Sequence, residues 1–268
     1  MKHKYLFMIL SQLCMLHIAH ASTTQSIPSG LMYSNKPIDS LCFMSDKNKS
    51  EIDLKKCGAN KKTFTVKAMN QDLSKQGYLG YDYEDKSYTP ALHGYSYYKY
   101  YPVSENKYWV YTINNSGGTG QFTAVYSVER KNQNTLILEG IASGDRCLGG
   151  IQDVSEKSGN LIYSVNLTAF DLIASVDKNT KLKAFDDLAA CAVCCTAKSF
   201  YTVDKNTKSK LEYVELNKVS DVSEMPEQGV IEACFNKLYV SYIKEKSVKL
   251  TPEQLNSFVN EFKQTCVK

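Results

Sequence analysis

Histidine is nearly missing from this chain. Three of its four histidines fall within the first 20 residues, and only His93 lies beyond them. Outside that leading stretch, no metal site built on two histidines can form, the H-E-x-x-H arrangement included. A Ser-His-Asp or Cys-His catalytic group would have to use His93. The surrounding Ala91-Leu92-His93-Gly94-Tyr95 carries no nucleophile signature, so His93 reads as a surface or turn residue. Charge of one sign is also scarce. The net charge is +4, and without the first 21 residues thirty basic side chains face 28 acidic ones. That balance lacks the basic excess of a nucleic-acid binder, so no nucleic-acid partner is expected. No later stretch approaches the roughly 20 apolar residues of a membrane-spanning helix. Glycine clusters at Ser116-Gly117-Gly118-Thr119-Gly120, but the lysine and following helix of a phosphate-binding loop are absent. The cluster reads as a turn that needs positive φ.

What is present begins with an export pattern. Lys2, His3 and Lys4 precede an apolar run from Tyr5 to Ile18, and Ala19-His20-Ala21 supplies the small-x-small cleavage pattern. Residues 1–21 are expected to be a signal peptide, leaving 247 residues and no stable membrane anchor. Residues 22–38, with Pro28-Ser29-Gly30 and Pro37, read as a loose leader. The mature length suits one large domain or two modest ones.

Eight cysteines remain after Cys14 leaves with the signal: Cys42, Cys57, Cys147, Cys191, Cys194, Cys195, Cys234 and Cys266. An even count in an exported chain argues for disulfides, though spacing alone allows 105 pairings of eight thiols. Cys42 and Cys57 flank a polar loop whose closure is worth about 3 kcal/mol. Cys234 and Cys266 fall on two helices joined by a short connection, where a bridge would clamp a hairpin. Cys147 is then left with the C-A-V-C-C cluster, and one bridge to it plus one within it would use every thiol. A four-cysteine zinc site fits an oxidising compartment poorly, so no metal and no cofactor is expected. Cys191-Ala192-Val193-Cys194 also has the spacing of a thiol oxidoreductase. That chemistry needs the motif to follow a strand and open a helix. Here Asp186 and Asp187 precede it, and residues 184 to 195 read as a helix already under way.

Residues 39–167 carry β signals. Thr63-Phe64-Thr65-Val66-Lys67 has strand composition. Lys107 to Ile113, Phe122 to Glu129 and Thr135 to Glu139 form a meander joined by the glycine turn and by Lys131-Asn132-Gln133-Asn134. Alternation places Phe122, Ala124, Tyr126 and Val128 on one face. Residues 168–268 form a cysteine-rich, mainly helical segment. Thr168 can cap a short helix, and Tyr201 to Val203 with Leu211 to Leu216 suggest a hairpin. Thr251-Pro252-Glu253-Gln254 is a capping box with proline at the first helical position.

Two features could touch a ligand. Eleven of the 19 tyrosines lie between Tyr78 and Tyr111, with Trp109 among them. Tyrosine joins a broad apolar ring to a polar tip, which suits sugar or protein surfaces. Because neighbouring strand residues face opposite sides, pairs such as Tyr97-Tyr98 and Tyr100-Tyr101 put tyrosine on both faces. Tyr97, Tyr98, Tyr100 and Trp109 are the candidate ligand-binding residues there. The second feature is Gly140 to Gly150, where Asp145 and Arg146 sit between glycines beside Cys147. A tethered loop of this kind could offer arginine to a carboxylate or phosphate, or the pair could hold the loop itself together.

Trp109, Asn115-Ser116-Gly117-Gly118-Thr119-Gly120, Gly144-Asp145-Arg146-Cys147 with Gly149-Gly150, Asn166-Leu167-Thr168 and Asp187 to Cys191 with Cys194-Cys195 together resemble a group of exported proteobacterial proteins. No activity is established for that group, so the resemblance implies a Gram-negative source and a periplasmic or secreted location, and no reaction. It covers roughly residues 108 to 195.

The expected fold is α+β: an antiparallel β-sandwich or barrel-like sheet followed by a disulfide-bridged helical C-terminal segment. The expected function is non-enzymatic binding of a protein or glycan ligand in the periplasm or outside the cell, as in a secreted bacterial host-interaction factor. Three other readings stand beside it: a thiol-disulfide oxidoreductase using C-A-V-C, a hydrolase in which Asp145 meets other carboxylates, and a structural envelope protein.

Overall fold

The computed structural model describes residues 27–44, 49–57, 70–86, 88–176 and 187–267. The signal-like segment, residues 22–26 and the strand expected at Thr63–Lys67 lie outside these.

The chain opens with a two-stranded ribbon, β1 (Met32–Tyr33) and β2 (Lys36–Pro37), then β3 (Lys49–Asp53), α1 (Leu54–Cys57) and α2 (Gln71–Lys75). Long antiparallel strands follow: β4 (Leu79–Asp85), β5 (Leu92–Ser104), β6 (Lys107–Asn115), β7 (Phe122–Asn132) and β8 (Thr135–Asp145). These five and β3 make a curled, half-barrel sheet in the order β3-β8-β7-β6-β5-β4. β9 (Ile151–Lys157) and β10 (Asn160–Leu167) then lead through α3 (Ala169–Ala174) to β11 (Ala197–Val203) and β12 (Ser209–Leu216). Helix α4 (Val230–Glu245), the short β13 (Lys249–Leu250) and α5 (Pro252–Cys266) complete the chain. The second sheet runs β13-β12-β11-β10-β9, also antiparallel. The fold is therefore α+β and mostly antiparallel. The second sheet draws on residues from both sides of position 167, so the change in sequence character there falls inside a sheet.

Three apolar clusters explain the layering. On one face of the half-barrel, Tyr98, Tyr100, Tyr108, Val110, Tyr126 and Val128 pack under Leu31, Ile38 and Phe43. The segment expected to be a loose leader is thus a lid over this face from Ile27 onward; its apolar residues at 31 and 38 have no exposure to speak of. On the other face, Trp109, Tyr111 and Val125 meet Ile151, Leu161, Tyr163 and Val203 of the second sheet. The third cluster joins that second sheet to the helices through Val214, Leu216, Phe235, Tyr239, Phe258 and Phe262. The meander face read from alternation holds for Ala124, Tyr126 and Val128, while Phe122 at its start is 49 % exposed.

The helices begin where cap chemistry puts them. Thr168 and Asp171 form a reciprocal capping box at α3, and Thr251 and Gln254 form one at α5 with Pro252 in the first turn. In α4, Glu232 is fully buried, and its carboxylate accepts from the N–H groups of Ala189 and Gln228. That ties the cysteine-rich connection to the helix.

The disulfides are Cys42–Cys57, Cys147–Cys195, Cys191–Cys194 and Cys234–Cys266. The last clamps α4 to α5. The helix expected at 184–195 is not there among the described residues 187–195. Two bridges ending on neighbouring Cys194 and Cys195 hold this stretch in turns, and Tyr239 donates its hydroxyl to the carbonyls of Thr196 and Asn217 behind it.

Under the lid, the Tyr98 ring packs 4.8 Å from Phe43 while its buried hydroxyl has no hydrogen-bond partner among the described residues. A buried hydroxyl without a partner is a net cost. Tyr98→Phe is therefore expected to raise stability by about 1 kcal/mol in denaturant unfolding. A loss of stability would show that this hydroxyl is satisfied.

Candidate functional site

Where the half-barrel meets the second sheet, three aromatic side chains reach across and grip β9 and the turn that follows it. Tyr111 donates its hydroxyl to the Ile151 carbonyl (2.9 Å), and Tyr101 to that of Val154 (2.8 Å). The Trp109 indole N–H donates to Gly159 (3.1 Å). Gly159 occupies the tight β9–β10 turn with Ser158, both at positive φ, where glycine avoids a steric penalty. These three donors lie along one side of the half-barrel because residues 101, 109 and 111 face the second sheet.

Strand β9 is bulged between the first two attachment points. Ile162 pairs with Ser155 and Ser164 with Gln152, so Asp153 and Val154 together oppose Tyr163. Asp153 takes a left-handed φ of 52°. A bulge re-aims side chains and often marks a site. Here it opens a cleft of about 440 Å³ over the tyrosines.

The cleft wall is Tyr78, Tyr101 and Tyr111, with Gln76, Gln121 and Gln152 at its edges. The rings of Tyr78 and Tyr111 meet edge to face at 6.1 Å. Lys99 extends between Tyr78 and Tyr101, its ammonium 5.6 and 5.8 Å from the two ring centres. It has no carboxylate partner among the described residues. Asp153, across the cleft, is already engaged: its Oδ2 accepts from the Ser164 hydroxyl (2.7 Å) and the Lys198 ammonium (3.3 Å). Burial pushes the Tyr101 phenol up to about 12 and raises those of Tyr78 and Tyr111. All three are therefore neutral hydroxyls at physiological pH. The oxygens of Tyr101 and Tyr111 spend their protons on β9 but keep lone pairs that can accept.

Comparison with protein-family models, curated proteins and solved structures finds no match. The site is read on its own chemistry.

The sequence candidates distribute differently. Tyr97, Tyr98 and Trp109 are at most 1 % exposed and Tyr100 is 8 % exposed, so none presents a surface to a ligand. This corrects the expectation for those four. Both faces of the half-barrel are covered, one by the lid and one by the second sheet, so tyrosines on either side become core. Tyr97 instead donates to the Asp82 carboxylate, which Asn70 also meets.

Asp145 and Arg146 bind each other. The guanidinium reaches the carboxylate through Nε and Nη2, both at 3.0 Å. Arg146 holds the Asp145 carboxyl below the usual carboxylate range, helped by the Gln121 N–H at 2.7 Å. The Arg146 carbonyl takes the Asn166 amide at 3.0 Å. The pair stands behind the cleft, where it positions Gln121. Asp145 also borders a second groove of about 520 Å³, which Met44 lines as well. That groove is walled by Phe122, Ala124, Ile141 and glycines, and its one charged group is neutralised by Arg146.

Cys191 and Cys194 are bridged to each other, with Val193 projecting 79 % exposed between them. The motif is followed by strand β11 rather than by a helix. His93 is exposed at the start of β5. No cluster of metal-ligating side chains occurs among the described residues.

Lys99, Gln121 and Asp153 were not singled out in the sequence. One signal for Lys99 was there: in Tyr97-Tyr98-Lys99-Tyr100-Tyr101 it shares its strand face with Tyr97 and Tyr101.

Proposed function

We propose that this protein is an exported, non-enzymatic binding protein whose cleft between the sheets takes a saccharide. The carrying observation is that three tyrosines and three glutamines line one concave site. A sugar offers apolar C–H faces and hydroxyls that both donate and accept. Tyrosine rings suit the first, and glutamine amides, with two donors and an acceptor, suit the second. The cleft volume falls in the range of small-ligand pockets, whereas a stable protein partner would need an extended surface of over 1,000 Å² or so. That favours a glycan over a protein as the ligand. Four disulfides fit an oxidising compartment, and no helix among the described residues is long and apolar enough to cross a membrane. The leader pattern and the resemblance to exported proteobacterial proteins support the same setting.

The test is a glycan panel on the purified oxidised protein, followed by calorimetry on each hit. Tyr78→Ala removes a half-buried ring at the cleft wall and should weaken a true hit about tenfold, the value of one good ring contact. Gln121→Ala should also weaken it. A panel without a hit, or hits indifferent to both substitutions, would overturn the reading.

A further inference from the structure

We infer that the saccharide taken by this cleft is anionic, carrying a carboxylate or sulfate beside the ring, and that Lys99 is the residue that selects it. The inference rests on the cleft being a saccharide site. It adds the charge of the ligand.

The argument starts from charge balance. Among the described residues, three charged side chains bear on the cleft: Lys99, Asp153 and, through Asp153, Lys198. Asp153 and Lys198 form an ion pair at 3.3 Å, and the Ser164 hydroxyl takes the same carboxylate oxygen. Among the described residues, Lys99 is left as one uncompensated positive charge beside neutral amides and phenols.

Its setting adds to that. Lys99 is half-buried, so it has given up part of its hydration. What it has in return is the faces of two tyrosine rings. Such contacts hold an ammonium in place but do not neutralise it. Lys99 lies against the tyrosine wall of the cleft.

Recognition then divides by residue. Tyr78 and the glutamine amides meet the ring and its hydroxyls. Lys99 meets the anion, as a compact point charge that accepts carboxylate or sulfate oxygens with little geometric preference. Because Lys99 is half-buried, that contact is stronger than the same pair on an open surface.

The experiment compares three probes by calorimetry on the oxidised protein: a hexuronate oligosaccharide, its carboxyl-reduced neutral form, and a sulfated oligosaccharide of equal length. Each is measured with wild type and with Lys99→Met, which keeps the apolar stem and removes the charge. The expected result is that at least one acidic probe binds wild type about tenfold or more tighter than the neutral form, as one charge-assisted contact predicts. Lys99→Met should abolish that preference, so that the acidic and neutral probes bind it alike. Which acidic probe wins identifies the anion. Neutral binding equal to acidic binding, or a preference that survives in Lys99→Met, overturns the inference and leaves the saccharide reading standing. No binding by any probe, together with an empty glycan panel, overturns both. Folding of the variant is checked by its far-ultraviolet spectrum and its melting temperature.

Discussion

Trp109→Ala is expected to lower the free energy of unfolding by about 4 kcal/mol, within the range for deleting a large buried aromatic side chain. Trp109 has no solvent exposure and lies in the cluster that joins the half-barrel to the second sheet. Its ring packs in one cluster with Tyr111, Leu161 and Val203, and its N–H holds the β9–β10 turn at Gly159. Trp109→Phe separates the two contributions. It keeps most of the apolar filling, so its cost should be about 1–2 kcal/mol, from a smaller ring and one unpaired carbonyl at Gly159. Denaturant unfolding of both variants gives the comparison. An alanine variant less than about 1 kcal/mol weaker than wild type would mean that the sheets hold together without this ring. The substitution also reaches the candidate site. The bulge at Asp153 lies between the Tyr111 and Tyr101 attachments, and Trp109 anchors the turn beyond them. Loosening that turn should reduce glycan affinity even though Trp109 does not line the cleft.

Parts of this architecture were legible because the sequence carries local chemistry for them. The meander has alternating faces and glycine or asparagine turns, and β6, β7 and β8 form where the pattern places them. The caps at Thr168 and Thr251 are written in hydroxyl-to-backbone spacing, and both form. The fate of the tyrosines was not legible. A strand with rings on both faces reads as one with a spare surface. Whether each face is covered depends on segments distant in sequence: residues 27–44 on one side and β9 to β11 on the other. The same holds for residues 187–195, within the stretch read as a helix. Helical spacing of its apolar residues lost to two covalent bridges and a buried glutamate, all long-range except Cys191–Cys194. The cleft depends on a bulge whose register is set only by pairing with β10. A lone lysine in an aromatic run gains meaning once both of its ring partners are placed.

Removing the Cys147–Cys195 bridge, as Cys147→Ser with Cys195→Ser, is expected to cost about 4 kcal/mol. Removing Cys191–Cys194 in the same way is expected to cost about 2 kcal/mol. The difference follows from loop length, because a longer closed loop restricts the unfolded chain more. The first bridge spans 48 positions and the second only three. Both partners must go together, since a lone thiol at 194 or 195 would sit beside a bridged neighbour and invite exchange. The longer bridge has a further consequence. It ties the turn that carries Asp145 and Arg146 to the segment leading into β11, and the Cys147 N–H meets the Ala192 carbonyl at 3.3 Å alongside it. Asp145 in turn holds the Gln121 backbone at the cleft edge. Losing the long bridge should therefore weaken glycan binding as well as stability, while losing the short one should affect stability alone. Denaturant unfolding and calorimetry on the two double variants test both statements. If the short bridge proves the more costly, loop closure is not what these disulfides contribute. If it alone is opened by mild reductant and then reforms, the C-A-V-C segment has a redox role that its position before a strand argues against.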